Sequence, residues 1–346
     1  MPLQIRFPAP NPDRPKQRIW PVFLPFWGCR QRCIYCAQEL QTGKTRQSLK
    51  QHWLTLRTEL TQAWQAGKPP LQLGFYGGTF TALPQGWQLK FLDLAREFKE
   101  KGLITRIRCS TRPDRISLQW LYELRRRGLD MLELGVQSFS TQVLSISSRG
   151  YTQSLAEQAC AWVKKSGLQL GIQLMPGLPG HNLPLWKKDV KTACKHKPAQ
   201  VRIYPCLVLR GTGLEELWQR GAYTPWSLND CIPALAGTLL KFWRQGILVT
   251  RIGLPQEPSL LPHIRSGPWH PALGDLVQGR VLLYVLLTQA FLLGPGPKEL
   301  LCPQKLQGQI WGPKKANLSR LKQVGISKSR TIFYPGKEFV LKRLMH

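Results

Sequence analysis

Six short apolar segments recur along the first two-thirds of the chain, each followed by a stretch with helical spacing. They lie at residues 19–24, 71–76, 106–110, 131–136, 168–175 and 201–208, and the helical stretches at 48–66, 87–101, 118–127, 141–147 and 152–166. Strands that alternate with helices predict parallel pairing through helical crossovers. The strand-to-strand spacing of roughly 25–45 residues suits an α/β barrel or partial barrel, whose ligand loops sit at the strand C-termini. A doubly wound open sheet has the same periodicity, so the pattern alone leaves both closures open. After residue 215 the alternation fades and residues 216–300 read as mainly helical. Residues 303–346 carry ten Lys and Arg against a single acid, Glu338. They also hold apolar Ile332, Phe333, Phe339, Val340 and Leu341, which predict a folded tail with a short β-pair. The expected organisation is a basic, Pro-rich segment at 1–16, a partial barrel at 17–215 and a helical, basic extension at 216–346. A length of 346 residues accommodates a barrel-sized domain with an appendage.

Charge narrows the partners. The chain has 49 Lys+Arg against 19 Asp+Glu, a formal net charge of +30. That predicts a polyanionic partner, with nucleic acid first and an acidic membrane surface second. The plainer reading is a compositional preference that keeps the protein soluble. The first residues, MPLQIRFPAPNPDRPKQR, lack the apolar core of a secretory signal. The longest apolar run, 281–294, is broken by Thr288 and Gln289 and is too short to span a bilayer, so it reads as a buried helix. These features predict a cytoplasmic protein with no membrane association.

Nine cysteines are few for a disulfide framework, and six of them stand singly among apolar or mixed neighbours, as small buried hydrophobes do. The other three, Cys29, Cys33 and Cys36, form a C-x3-C-x2-C loop directly after the first apolar segment. In a reducing compartment such a cluster reads as a metal site. Three thiolates on one loop suit three irons of a cubane cluster, leaving one iron open to a small molecule. A zinc site is the alternative and needs a fourth ligand from elsewhere in the chain, because no further Cys or His stands within a few residues.

The C-x3-C-x-Y-C string around Tyr35 resembles the radical S-adenosylmethionine (SAM) superfamily. The resemblance implies a [4Fe-4S] cluster on Cys29, Cys33 and Cys36 that binds SAM through its open iron. It also implies reductive cleavage of SAM to a 5′-deoxyadenosyl radical and a low-potential electron donor. Gly77-Gly78-Thr79 looks like the superfamily's Gly-Gly-Glu motif, which receives the SAM amino group, with Thr79 in place of the acid. Ser110 stands where relatives contact the SAM ribose, and Gln173 where they carry a ribose-contacting Asp. Gln137, in Gly-Val-Gln-Ser, implies a polar contact to SAM, and Arg149 implies a partner for its carboxylate.

The finer resemblance is to the Elongator protein 3 family. It is carried by Gly-Gly-Thr-Phe-Thr-Ala-Leu-Pro at 77–84, Ser-Thr-Arg-Pro-Asp at 110–114, Leu-Glu-Leu-Gly-Val-Gln-Ser at 132–138, Met-Pro-Gly-Leu-Pro-Gly at 175–180 and Arg-Ile-Tyr-Pro-Cys-Leu-Val-Leu-Arg-Gly-Thr-Gly-Leu-Glu-Glu-Leu-Trp at 202–218. That family modifies the wobble uridine of tRNA with radical SAM chemistry and acetyl-CoA, which implies a tRNA or other RNA partner here. Its enzymes continue into an acetyltransferase-like domain. Residues 303–346 show no phosphate-cradling Gly-rich signature, so the expectation is a radical barrel with a small basic module and no acetyltransferase domain. Two alternatives stand beside it: a radical SAM enzyme on a small molecule such as a porphyrinogen, and a non-catalytic cluster or metal protein that binds RNA.

Overall fold

The computed structural model describes residues 3–10, 18–30, 32–84 and 86–344. Residues 1–2 and 11–16 of the expected Pro-rich segment lie outside them. Strand β1 (Gln4–Pro8) belongs to a small sheet treated below. The large sheet holds β2 (Ile19–Phe23), β3 (Leu71–Tyr76), β4 (Ile104–Thr111), β5 (Met131–Gln137), β6 (Gln169–Leu174) and β7 (Gln200–Ile203), all paired in parallel and in sequence order. Strands buried on both faces must be apolar throughout rather than alternating, which is why these segments stood out as runs. Val22, Phe75, Cys109, Leu132 and Leu170 line up across five strands and are all buried.

The intervening helices start where the sequence supplies a capping oxygen. Ser48, Ser117, Ser140, Thr152 and Asn182 each accept a hydrogen bond from a first-turn amide. Two features differ from expectation. The sixth apolar segment is not one strand: β7 ends at Ile203, Pro205 follows without an amide to donate, and β8 (Val208–Leu209) joins a two-stranded ribbon. A seventh strand, β9 (Leu248–Ile252), comes from a region read as helical and extends the sheet beyond β7. Strands β2 and β9 are its two edges, so the sheet curls into a partial barrel without closing. Strand β10 (Ile264–Ser266) pairs antiparallel with β8.

The chain forms two compact units. One comprises residues 14–227 and 249–269 and contains the partial barrel. The other gathers residues 1–13, 228–248 and 270–346, so the N-terminal strand belongs with the C-terminal region rather than standing apart. In this second unit the expected short β-pair is a four-stranded sheet. It is built from β11 (Lys298–Pro303), β12 (Ile326–Tyr334) and β13 (Glu338–Arg343) in the order β1-β13-β11-β12. Phe7 pairs with Phe339 across β1 and β13, and their rings stack at 5.1 Å.

The helix Leu273–Leu292 starts eight residues before the apolar run at 281. By length and composition it is long and apolar enough to cross a membrane. Leu282, Leu283, Leu286 and Ala290 pack instead with Phe7, Leu300, Phe339 and Leu341 as the core of this unit.

Candidate active site

The C-terminal ends of the large sheet open into one cavity of about 460 Å³. Cys29, Cys33, Cys36 and Tyr35 line it from the loop after β2. Gly77, Gly78 and Thr79 line it from the end of β3, Ser110 from β4, Gln137 from β5, Gln173 from β6 and Arg149 from the loop beyond β5. Every residue singled out in the sequence therefore faces the same space.

Two interlocked turns shape the floor. Gly28 and Gly78 both have left-handed backbones, φ +77° and +62°. A Cβ on Gly78 would lie 2.2 Å from the Trp27 carbonyl oxygen, and one on Gly28 would lie 2.2 Å from that of Thr79. Only glycine permits both approaches. The Thr79 amide donates to the Trp27 carbonyl at 2.7 Å. The Gln38 side chain then staples the turns: its Oε1 accepts from the Phe26 amide at 2.5 Å and the Gly78 amide at 2.7 Å. Thr79 Oγ1 lies 3.3 Å from Cys29 Sγ.

Arg149 is fully enclosed on the opposite side. Its Nη1 donates to Cys33 Sγ at 3.1 Å, and its Nε donates to the Tyr151 hydroxyl, also at 3.1 Å. Tyr151 in turn donates to the carbonyls of Gly135 and Val136, at 3.0 and 2.9 Å, and fixes the guanidinium. Among the described residues no carboxylate pairs with Arg149, so its positive charge faces the cavity unmatched. Arg112 is held by Asp114 through two bonds of 2.9 and 3.0 Å. Its Nη1 reaches Cys33 Sγ at 3.7 Å. Gln173 Nε2 donates to Gln137 Oε1 at 3.3 Å, which joins the ends of β6 and β5.

The donor set fits an iron–sulfur cluster. Three thiols and no carboxylate line the cavity, and soft sulfur ligands suit clustered iron. Among the described residues no three Cys, His, Asp or Glu side chains converge to hold a single metal ion. A cubane does not require that convergence, because each thiolate takes a different iron. Burial pushes the Cys36 thiol up to about 12, and the neighbouring Cys33 adds to the shift. A metal binding there displaces those thiol protons. The Tyr35 hydroxyl is buried with no hydrogen-bond partner, a polar group aimed at a ligand-sized space.

Sequence reasoning missed several residues. Gln38 and Arg112 lie within or next to the quoted strings but carry no distinguishing pattern of their own. Tyr151, two positions after Arg149, is separated from the strand carbonyls that it binds by a full loop. A buried network below the cavity was also missed. Arg108 donates to Glu133 at 2.9 and 2.7 Å, and Arg202 Nη2 donates to the Tyr76 hydroxyl at 2.8 Å. Its signal was present as charges inside apolar strands, Arg-Ile-Arg-Cys and Leu-Glu-Leu-Gly.

Comparison with known proteins agrees with this geometry. The Radical SAM superfamily model matches residues 24–193, and the Radical SAM C-terminal domain model matches residues 198–282. The chain is 32% identical to a tRNA uridine(34) acetyltransferase of Methanocaldococcus infernus over 215 residues, 55% of this chain and 40% of that protein. It is 28% identical to mouse Elongator complex protein 3 over 292 residues, 72% of this chain and 52% of that one. The chain thus spans about half or less of the curated relatives that it matches. Among solved structures, the M. infernus Elp3 with its first 46 residues deleted superposes with a TM-score of 0.57 at 25% identity, covering 79% of this chain and 63% of that one. The coproporphyrinogen III oxidase of Escherichia coli shares the fold, with a TM-score of 0.52 at 20% identity over 68% of this chain and 54% of its own.

Proposed function

We propose, since this chain belongs to the radical SAM superfamily, that it cleaves SAM reductively at a [4Fe-4S] cluster and uses the resulting radical to modify a base of tRNA or another RNA. The observation that carries the reading is the convergence of three cysteines and eight further residues on one cavity at the strand ends. When bound there, the cluster and SAM supply one-electron cleavage to methionine and a 5′-deoxyadenosyl radical, which takes hydrogen from the substrate.

The chain's own residues hold and orient. Cys29, Cys33 and Cys36 would hold the cluster, and SAM would bind where the chain supplies no fourth thiolate. Arg149, a buried guanidinium without an acid, meets the SAM carboxylate through its planar fork. The backbone of Gly77, Gly78 and Thr79 meets the amino group. Ser110, Gln137 and Gln173 sit by the ribose as neutral polar partners, and the Tyr35 hydroxyl adds a further contact.

RNA as substrate is supported by the net charge of +30 and by the similarity to tRNA-modifying relatives. Modification of a base requires the nucleotide to be splayed out of the RNA and into the cavity. The test is direct. Anaerobically reconstituted, reduced protein is expected to convert SAM to 5′-deoxyadenosine. A fully reduced cluster that leaves SAM intact overturns the catalytic reading. Mass spectrometry of tRNA nucleosides from cells lacking the protein tests the RNA assignment, and an unchanged nucleoside profile counts against it.

A further inference from the structure

The cavity has a second wall that none of these roles uses. Tyr76, Arg202, Tyr204 and Arg251 line it from the ends of β3, β7 and β9. We propose that this wall is an anion subsite for a phosphate of the substrate nucleotide, with Arg202 and Arg251 as its cations. The proposal rests on the RNA-base reading for the identity of the substrate.

A charge imbalance in a buried place carries the argument. The Glu133 side chain is 5% exposed and faces two guanidiniums. Arg108, 3% exposed, takes Oε1 with the bonds of 2.9 and 2.7 Å. Arg202 Nε lies 3.0 Å from Oε2 but off the hydrogen-bond line, so this buried N–H lacks an acceptor. One carboxylate thus serves two cations, and the better bonds go to Arg108. The trio of Glu133, Arg108 and Arg202 therefore carries a net positive charge, and Arg202 is its member that lines the cavity. An uncompensated charge in a low-dielectric interior is costly unless a counter-ion arrives.

The rest of the cavity does not provide one. Five arginines line it, Arg32, Arg112, Arg149, Arg202 and Arg251, and no Asp or Glu does. Arg112 is matched by Asp114, and Arg149 is the cation assigned above to the SAM carboxylate. Arg251 is exposed, donates through Nε to the Gly253 carbonyl at 3.2 Å, and has no acid partner among the described residues. Guanidiniums favour phosphate, whose oxygens accept from their planar forks. Phe23 and Tyr76, with ring centroids 6.3 Å apart, give the same wall an aromatic side on which a base packs. Cations beside aromatic rings describe a nucleotide site better than a site for a bare anion.

The experiment titrates the reconstituted full chain with uridine, uridine 5′-monophosphate and inorganic phosphate at fixed ionic strength, by calorimetry. The nucleotide is expected to bind about tenfold or more tightly than the nucleoside, a difference worth about 1.4 kcal/mol. Arg202→Gln and Arg251→Gln are each expected to remove most of that difference. Lys68→Gln removes the same charge from an exposed site elsewhere and is expected to preserve it.

Equal affinity for nucleoside and nucleotide overturns the proposal, as does a preference that survives both arginine substitutions. Inorganic phosphate binding as tightly as the nucleotide, with the same arginine dependence, overturns the nucleotide assignment. Arg202→Gln leaves Arg108 and Glu133 as a one-to-one pair, and Arg251→Gln changes only an exposed side chain, so the two variants do not share one folding risk. Conversion of SAM to 5′-deoxyadenosine by the same preparation without nucleotide separates the two readings. Cleavage without a phosphate preference overturns the subsite alone, and absence of cleavage overturns the proposed function.

Discussion

Arg149 and Cys33 stand 116 positions apart in the chain, yet the guanidinium Nη1 donates to the thiol sulfur across 3.1 Å. One side chain thereby links the cysteine loop to the loop beyond β5, on the wall of the same cavity. Arg149→Lys keeps a cation but loses the planar fork and the anchoring by Tyr151. It is expected to weaken SAM binding about tenfold or more, measured by equilibrium dialysis on reconstituted protein with its iron content assayed in parallel. Unaltered SAM affinity removes Arg149 from the site.

Glu133 is the one carboxylate facing two buried guanidiniums, so its loss leaves both without an acid partner. Glu133→Gln is expected to destabilise the protein by about 3–5 kcal/mol in urea denaturation. Adding Arg202→Gln to that variant is expected to recover part of the loss, because one stranded charge disappears with it. A double variant no more stable than the single one contradicts the charge imbalance.

Gly67 and Gly78 share a left-handed backbone, φ +60° and +62°, but differ in surroundings. Nothing lies within 4 Å of a Cβ built on Gly67, whereas one on Gly78 meets the Trp27 oxygen at 2.2 Å. Alanine at either position costs about 1–2 kcal/mol of backbone strain. Only Gly78→Ala is expected to show a further loss in thermal unfolding of the cluster-free protein, together with reduced iron uptake. Equal melting temperatures for the two variants argue against the interlocked turns.

Burial pushes the Cys160 and Cys231 thiols up to about 12, with nearby Glu157 and Asp230 adding to the respective shifts. Unfolded thiols ionise near 8.5. The folded chain therefore holds protons that the unfolded chain releases, so stability falls as pH rises from about 9 toward 12 and does not respond below that window. Urea midpoints across that range are expected to decline, and Cys160→Ala is expected to flatten the slope although it lowers stability at neutral pH. A slope identical to that of the parent protein excludes this thiol as a contributor.

Lys314, Lys315, Lys328 and Arg330 are exposed in the second unit, and Lys328 lies 5.7 Å over the Trp311 ring. If they contact phosphates, replacing all four by Gln lowers the slope of log K against log salt for tRNA binding by about 0.7 per lost contact. Filter binding from low to moderate salt measures it. An unchanged slope assigns these residues to solvation of the surface.

The barrel strands were legible because a parallel sheet buried on both faces writes itself as apolar runs, and 71–76 and 131–136 needed almost no adjustment. Strand ends were legible because the chain must approach a ligand or another backbone there, which brings in Gly-Gly and Pro-Gly. Strand β9 was not, because its five residues, Leu-Val-Thr-Arg-Ile, follow a long helix and gain their partner only from β7, far back in the chain. The pairing of β1 was equally hidden. The Pro-rich start reads as a tail until Phe339 supplies a face for Phe7. Within the site, the cysteines and Arg149 came from a recognisable order along the chain. Gln38, Tyr151 and the Glu133 network depend on contacts between strands that local sequence does not encode.

The partnership of β1 with β13 also dictates a timetable. Residues 4–8 are synthesised long before their hydrogen-bonding neighbours, residues 338–342. At about 5–20 residues per second, roughly 15–65 s of synthesis separate the two. During that interval the barrel can fold on what has already been made, while Phe7 waits with its apolar face uncovered. A chain that stops short of residue 338 therefore leaves β1 without β13, its antiparallel partner.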